Sequence, residues 1–149
     1  MKEHFINLFE YNDWANRKIF YVLRDAAQSP KKTLDILSHI ILSQETWLGR
    51  IKGDYTNSFW ENVELSDLEK RSEINSKDWL QILSDLDERD LDKKYTYHNT
   101  KGARFETSLK DIITHLINHS SYHRAQINLL LRQNNVEPAI TDYIYYTRR

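Results

Sequence analysis

The chain has no cysteine, which removes disulfides, thiolate metal sites and a cysteine nucleophile together. Any metal it holds is bound through nitrogen and oxygen. Three glycines and two prolines in 149 residues leave few chain breakers. The abundant Leu, Ile, Lys, Glu and Asp then favour long helices with short connections. An excess of one charge is also missing. With 21 basic and 22 acidic residues the net charge is −1, so no long-range field draws nucleic acid or an anionic membrane surface. The apolar runs fall short of the ~20 residues of a membrane span, and the opening MKEHFINLFEYND has no signal-peptide core. These absences predict a cytoplasmic, all-α chain forming one domain over residues 1–149, large enough to bury a core without staples.

What is present supports that class. Residues 3–26 carry Phe5, Leu8, Phe9, Ala15, Ile19, Val22 and Leu23 at helical spacing, with Pro30 just beyond. Tyr11, Asn12 and Trp14 in this helix read as an aromatic packing rim. A second helix is predicted from Thr33, as N-cap, to Lys52, with Gly53 as its stop. Residues 54–76 form a longer connection whose Tyr55, Phe59 and Trp60 are too apolar for a free linker. It is expected to pack over one end of the bundle and to let its flanking helices avoid a tight antiparallel turn. A third helix is expected over 77–90 with Ser76 as cap. Residues 94–107 change period and read as a small hairpin with His98 at its tip and no role assigned to it. Thr107 or Ser108 caps a fourth helix, with Asp111 completing a capping box. That helix ends near Asn134 and Asn135, and the apolar tail after Pro138 docks. The sum is a four-helix bundle with one long crossover and a small β-like insert before the last helix.

The fourth helix carries His115, His119 and His123 at four-residue steps. At about 100° per residue, His123 lies roughly 40° from the apolar stripe, His119 roughly 80° and His115 roughly 120°. His119 and His123 therefore face the core or its edge, and His115 faces out. Imidazoles at i and i+4 can offer two nitrogens to one metal ion, and a further ligand must come from elsewhere. The plain alternative is a pair of core-edge histidines bonded to their neighbours, with no metal. His39 in the second helix sits on a flank with Ser43 and Thr46, more than roughly 100° from the apolar stripe. Periodicity by itself reads it as a partly exposed helical histidine.

The stretch Asn118-His119-Ser120-Ser121-Tyr122-His123-Arg124-Ala125-Gln126 resembles the NHxxYHRGQ motif of the DinB/YfiT-like family of helical-bundle metalloproteins, with Ala125 in place of glycine. The resemblance extends to Phe9-Glu10-Tyr11-Asn12-Asp13-Trp14-Ala15-Asn16, to His39-Ile40 with Glu45, Trp47 and Arg50, and to Thr141-Asp142-Tyr143-Ile144-Tyr145-Tyr146. It implies a site in which His39, His119 and His123 coordinate a divalent metal with other positions open. His39 enters on the resemblance alone. The family includes transferases that use low-molecular-weight thiols, which implies a thiol cosubstrate and an electrophile as partners. It also favours a homodimer.

Three neutral imidazoles suit a transition metal, zinc or nickel first, with iron or manganese as further options, and do not suit calcium or magnesium. Such an ion is a Lewis acid that lowers the pKa of a bound water or thiol. The resulting expectation is a metal-dependent thiol transferase serving detoxification or stress response. The rival is a metal-containing stress-response or binding module without turnover. No catalytic residue is nominated. Glu45, Asn118 and Tyr122 are candidate partners of the ligands, with directions that spacing does not establish.

Overall fold

The computed structural model describes residues 1–26, 29–54 and 58–149. Helix α1 spans Lys2–Asp25, and Phe5, Phe9, Ala15, Ile19, Phe20 and Leu23 line its buried face. Helix α2 spans Lys31–Lys52. Its N-cap is Pro30, in extended conformation, and not Thr33. Thr33 instead lies in the first turn and returns its hydroxyl to the Pro30 carbonyl at 2.6 Å. The C-terminal stop is Gly53 as expected, at φ 84°, where a side chain would be strained.

Helix α3 spans Leu65–Asp85, starting twelve residues before the expected Lys77 and ending before Asp90. Its buried face reads Leu68, Ser72, Asn75, Ser76, Trp79, Leu83. The three polar residues in that stripe conceal the helical period from an apolar count. Ser76 is not a cap. It is buried mid-helix and donates to Asp13 Oδ1 at 2.7 Å. A short 3-10 turn, Glu88–Asp92, leads to a hairpin of β1 (Lys94–His98) and β2 (Arg104–Ser108), paired antiparallel with Tyr97 opposite Phe105. His98 ends β1, at the mouth of the turn.

Helix α4 spans Leu109–Gln133. Ser108 Oγ accepts from the Asp111 N–H at 3.3 Å and donates to its carboxylate at 2.5 Å, so the cap is a side-chain pair and not a fully reciprocal box. Asn135 terminates the helix at φ 56°. The tail docks through α5, Tyr143–Thr147, whose buried Tyr146 packs edge-on to Tyr11 and Trp14. That contact is the aromatic rim expected from the first helix.

Helices α1 and α2 each pack on both α3 and α4. Partners Glu45–Arg71 and Lys52–Asp78 run in the same sense along α2 and α3, so these helices are parallel. His39 meets His119 while Gln44 meets Ser120, and Trp47 meets His115, so α2 and α4 are antiparallel. A parallel pair joined in sequence needs a return strap, and the connection after Gly53 supplies it. Among the described residues it does not gather over one end of the bundle as expected: residues 58–61 run back along α2, where Thr46, His39 and Ser38 bond the carbonyls of Ser58, Phe59 and Glu61. Tyr55 lies outside the described residues. No helix among the described residues is long and apolar enough to cross a membrane.

One apolar cluster surrounds Phe9, Trp79, Leu83, Ile113 and Leu116 beneath the hairpin. Another surrounds Ile19, Leu37, Ile41, Leu68 and Ile127. A polar layer separates them. Gln44 donates to Ser120, accepts from Asn75, and takes the Trp79 indole N–H on its carbonyl, each at 3.1 Å. These bonds between buried groups fix the register of α2, α3 and α4, while Asn75 Oδ1 is buried with no partner among the described residues. The histidines stand at the edge of this layer.

Candidate metal centre

His39 comes from the flank of α2 opposite its apolar stripe, and His119 and His123 from successive turns of α4. That flank is not a solvent face. Ser43 and Thr46 beside His39 are 2% and 3% exposed, because α4 and the strap cover them. His39 Nε2 lies 3.1 Å from His119 Nε2, and His123 Nε2 lies 3.1 Å from the same atom. The three are a group that could hold a metal ion. His115 is exposed and stays outside the group, although its ring lies 5.3 Å from His119.

The outer nitrogens decide which way the lone pairs point. His39 Nδ1 contacts the Phe59 carbonyl at 2.8 Å, and His123 Nδ1 contacts Gln126 Oε1 at 2.7 Å. A carbonyl oxygen only accepts, so both Nδ1 atoms carry hydrogen and both Nε2 atoms present lone pairs inward. His119 Nε2 sits between them, and its Nδ1 is buried without a partner among the described residues. A proton on His119 Nε2 serves one neighbour well and leaves the other lone pair unmet. A cation satisfies all three. Around a tetrahedral ion with ligand nitrogens at ~2.0–2.1 Å the N···N edge is about 3.3 Å, close to the two 3.1 Å separations about His119, and all three candidate ligand atoms lie within 4.8 Å of one another. The residues therefore fit a transition metal.

Two of the imidazoles, His119 and His39, are pushed toward the neutral form that ligation requires. Burial pushes His119 down to about 3, helped by the neighbouring His123, His39 and His115. Burial also lowers His39, against the opposing bond to Phe59 and with the adjacent His123 assisting. Trp60 stacks flat on the His39 ring, centroids 4.1 Å apart at 8°, while remaining 62% exposed.

A model of the DinB family matches residues 1–149. The chain belongs to the DinB family. Among curated proteins it is similar to Protein DinB of Bacillus subtilis (strain 168), 27% identical over 98% of this chain and 95% of that protein. No solved structure matches. For a DinB-family chain, the departure at Ala125 leaves the site untouched, since Ala125 is exposed on the far side of Arg124 from the histidines.

The other nominees fall elsewhere. Glu45 forms a two-pronged ion pair with Arg71, at 3.0 and 2.5 Å, on the α2–α3 seam. Asn118 is exposed. Tyr122 is 63% exposed, with its ring 5.1 Å from His123. The groups that bond the outer nitrogens of His39 and His123 are instead the Phe59 carbonyl and Gln126. Gln126 stands three residues after His123, a spacing that puts both on one helix face. A backbone carbonyl in a connection carries no sequence signal.

Proposed function

We propose that this chain is a divalent-metal-binding protein acting as a metal-dependent transferase for a low-molecular-weight thiol, in detoxification or stress response. The observation that carries the reading is the convergence of three Nε2 atoms, two of them oriented by Nδ1–H bonds to Phe59 and Gln126. His39, His119 and His123 hold the ion, and no fourth histidine or carboxylate joins the group among the described residues. Bound there, zinc, nickel, iron or manganese supplies Lewis acidity that lowers the pKa of a coordinated thiol or water. The chain has no cysteine, so the thiol arrives as a cosubstrate, to be joined to an electrophile.

The chain's own contribution is placement. Phe59 and Gln126 keep the ligand rings from rotating, and the Trp60 indole forms an apolar wall beside His39. All three imidazoles are partly exposed. The reading includes a cytoplasmic homodimer, supported by the exposed Tyr122, Leu129, Ile140, Ile144 and Tyr145 on α4 and the tail.

The test is metal analysis of protein purified without a histidine tag, beside His119→Ala/His123→Ala. About one equivalent in the wild type and almost none in the variant supports the centre. Titrating a cobalt-loaded sample with a small thiol then separates the readings: a changed visible spectrum supports the transferase. An unchanged one leaves a binding module without turnover.

A further inference from the structure

Arg124 follows His123, turned about 100° from it around α4, and reaches α1. It is 1% exposed, and no carboxylate pairs with it among the described residues. Its Nη1 donates to Asn12 Oδ1 at 2.7 Å and Asn16 Oδ1 at 2.8 Å, and Nη2 donates to Ser121 Oγ at 3.0 Å. The Arg124 Nε–H and the amide nitrogens of Asn12 and Asn16 are buried with no hydrogen-bond partner among the described residues. Both asparagine oxygens are already spent on the guanidinium. The Tyr11 ring also faces the guanidinium, 5.5 Å from its centre, and the Tyr11 hydroxyl interacts with it. What remains is a positive centre held by neutral groups alone, with no anion beside it among the described residues. A buried charge in that condition is costly unless an anion completes it.

Arg124 lines a cavity of about 380 Å³ between α4 and the C-terminal segment. Its walls are built in advance. Tyr11 donates to the Thr141 carbonyl at 2.9 Å, and Asn128 clasps both backbone groups of Ala139 at 2.8 and 3.1 Å. The lining carries two cations, Arg124 and Arg132, against one anion, Asp142, with Leu129, Ala139 and the Tyr143 ring as apolar surface. None of the three clustered histidines lines it.

We propose that this cavity is a second site, separate from the metal centre, for a small organic anion whose carboxylate or phosphate meets Arg124 and whose body lies on the apolar lining. A planar guanidinium is suited to either headgroup. The volume is within the range of small-molecule sites and exceeds what a bare ion needs.

The test is calorimetric and thermal-shift titration of the intact chain with inorganic phosphate, succinate and benzoate at constant ionic strength, with chloride as control. The probe that saturates identifies the headgroup. Ala125→Trp projects a ring into the cavity from an exposed position, so it is expected to weaken binding about tenfold or more with an unchanged unliganded melting point, as loss of a charged hydrogen bond would. Asp142→Asn removes the opposing charge and is expected to tighten binding. His119→Ala/His123→Ala is expected to bind as the wild type does. The proposal is overturned if no probe saturates, if Ala125→Trp binds normally, or if the histidine variant loses binding. It is equally overturned if Asp142→Asn loses stability without gaining affinity, since Asp142 would then be the counter-ion of Arg124.

Discussion

Gln126→Leu removes the acceptor on His123 Nδ1 and leaves every proposed ligand in place. The side chains are similar in size and Gln126 is half-buried, so the fold should tolerate the change. Without the bond, the His123 ring is free to turn and its Nε2–H tautomer competes, both of which oppose ligation. Loss of a partner of this kind costs about 10–100-fold in metal affinity. At zinc 100 times the wild-type Kd, binding stabilises the native state by about 2.7 kcal/mol. A 30-fold weaker site retains about 0.9 kcal/mol at the same zinc concentration. At roughly 2–4 °C per kcal/mol for this size, the zinc-induced rise in Tm falls from about 5–11 °C to about 2–4 °C. The assay is calorimetry with and without zinc, paired with a competing chelator to measure Kd. Wild-type affinity in the variant would refute the orienting role of Gln126. A fall in the metal-free Tm as large as the lost zinc shift would show that the effect is one of folding.

Further outcomes follow from the same geometry. His39→Ala should lose metal as His123→Ala does, whereas His115→Ala should keep it, as metal analysis of the three will show. Cobalt should quench tryptophan fluorescence chiefly through Trp60, stacked on His39, so Trp60→Phe should lose most of the quenching. Trp79→Ala should cost about 3–5 kcal/mol in urea denaturation. It empties a fully buried site against Phe9 and frees the Gln44 carbonyl. Arg71 holds the Glu61 carboxyl below its usual 4.5 through their hydrogen bond. That stability is present above the usual value and is lost as pH falls through the lowered one. The stability difference between wild type and Arg71→Gln should therefore shrink on acidification below about pH 4.

The three clustered histidines divide by how each can be read. His119 and His123 were visible because the i, i+4 period of a helix is local, and the wheel separated them correctly from the exposed His115. His39 was invisible to the same count. Its flank of α2 is polar, and polar flanks ordinarily meet water; here α4 and the return strap cover it. Helix α3 was half missed for a related reason. Its buried stripe contains Ser72, Asn75 and Ser76, whose partners Gln44 and Asp13 lie on other helices.

The sequence by itself determined the all-helical class, the break at Gly53, the hairpin, the cap at Ser108 and the histidine pair of α4. Each of these depends on residues within a turn or two of one another, where backbone geometry alone sets the spacing. Only the tertiary structure decided that His39 joins that pair, that Phe59 and Gln126 bond the outer nitrogens of His39 and His123, and that Arg124 is buried with no counter-charge among the described residues. Those features depend on which helix lies beside which, and the parallel placement of α2 and α3 with its return strap is settled by packing the whole chain at once.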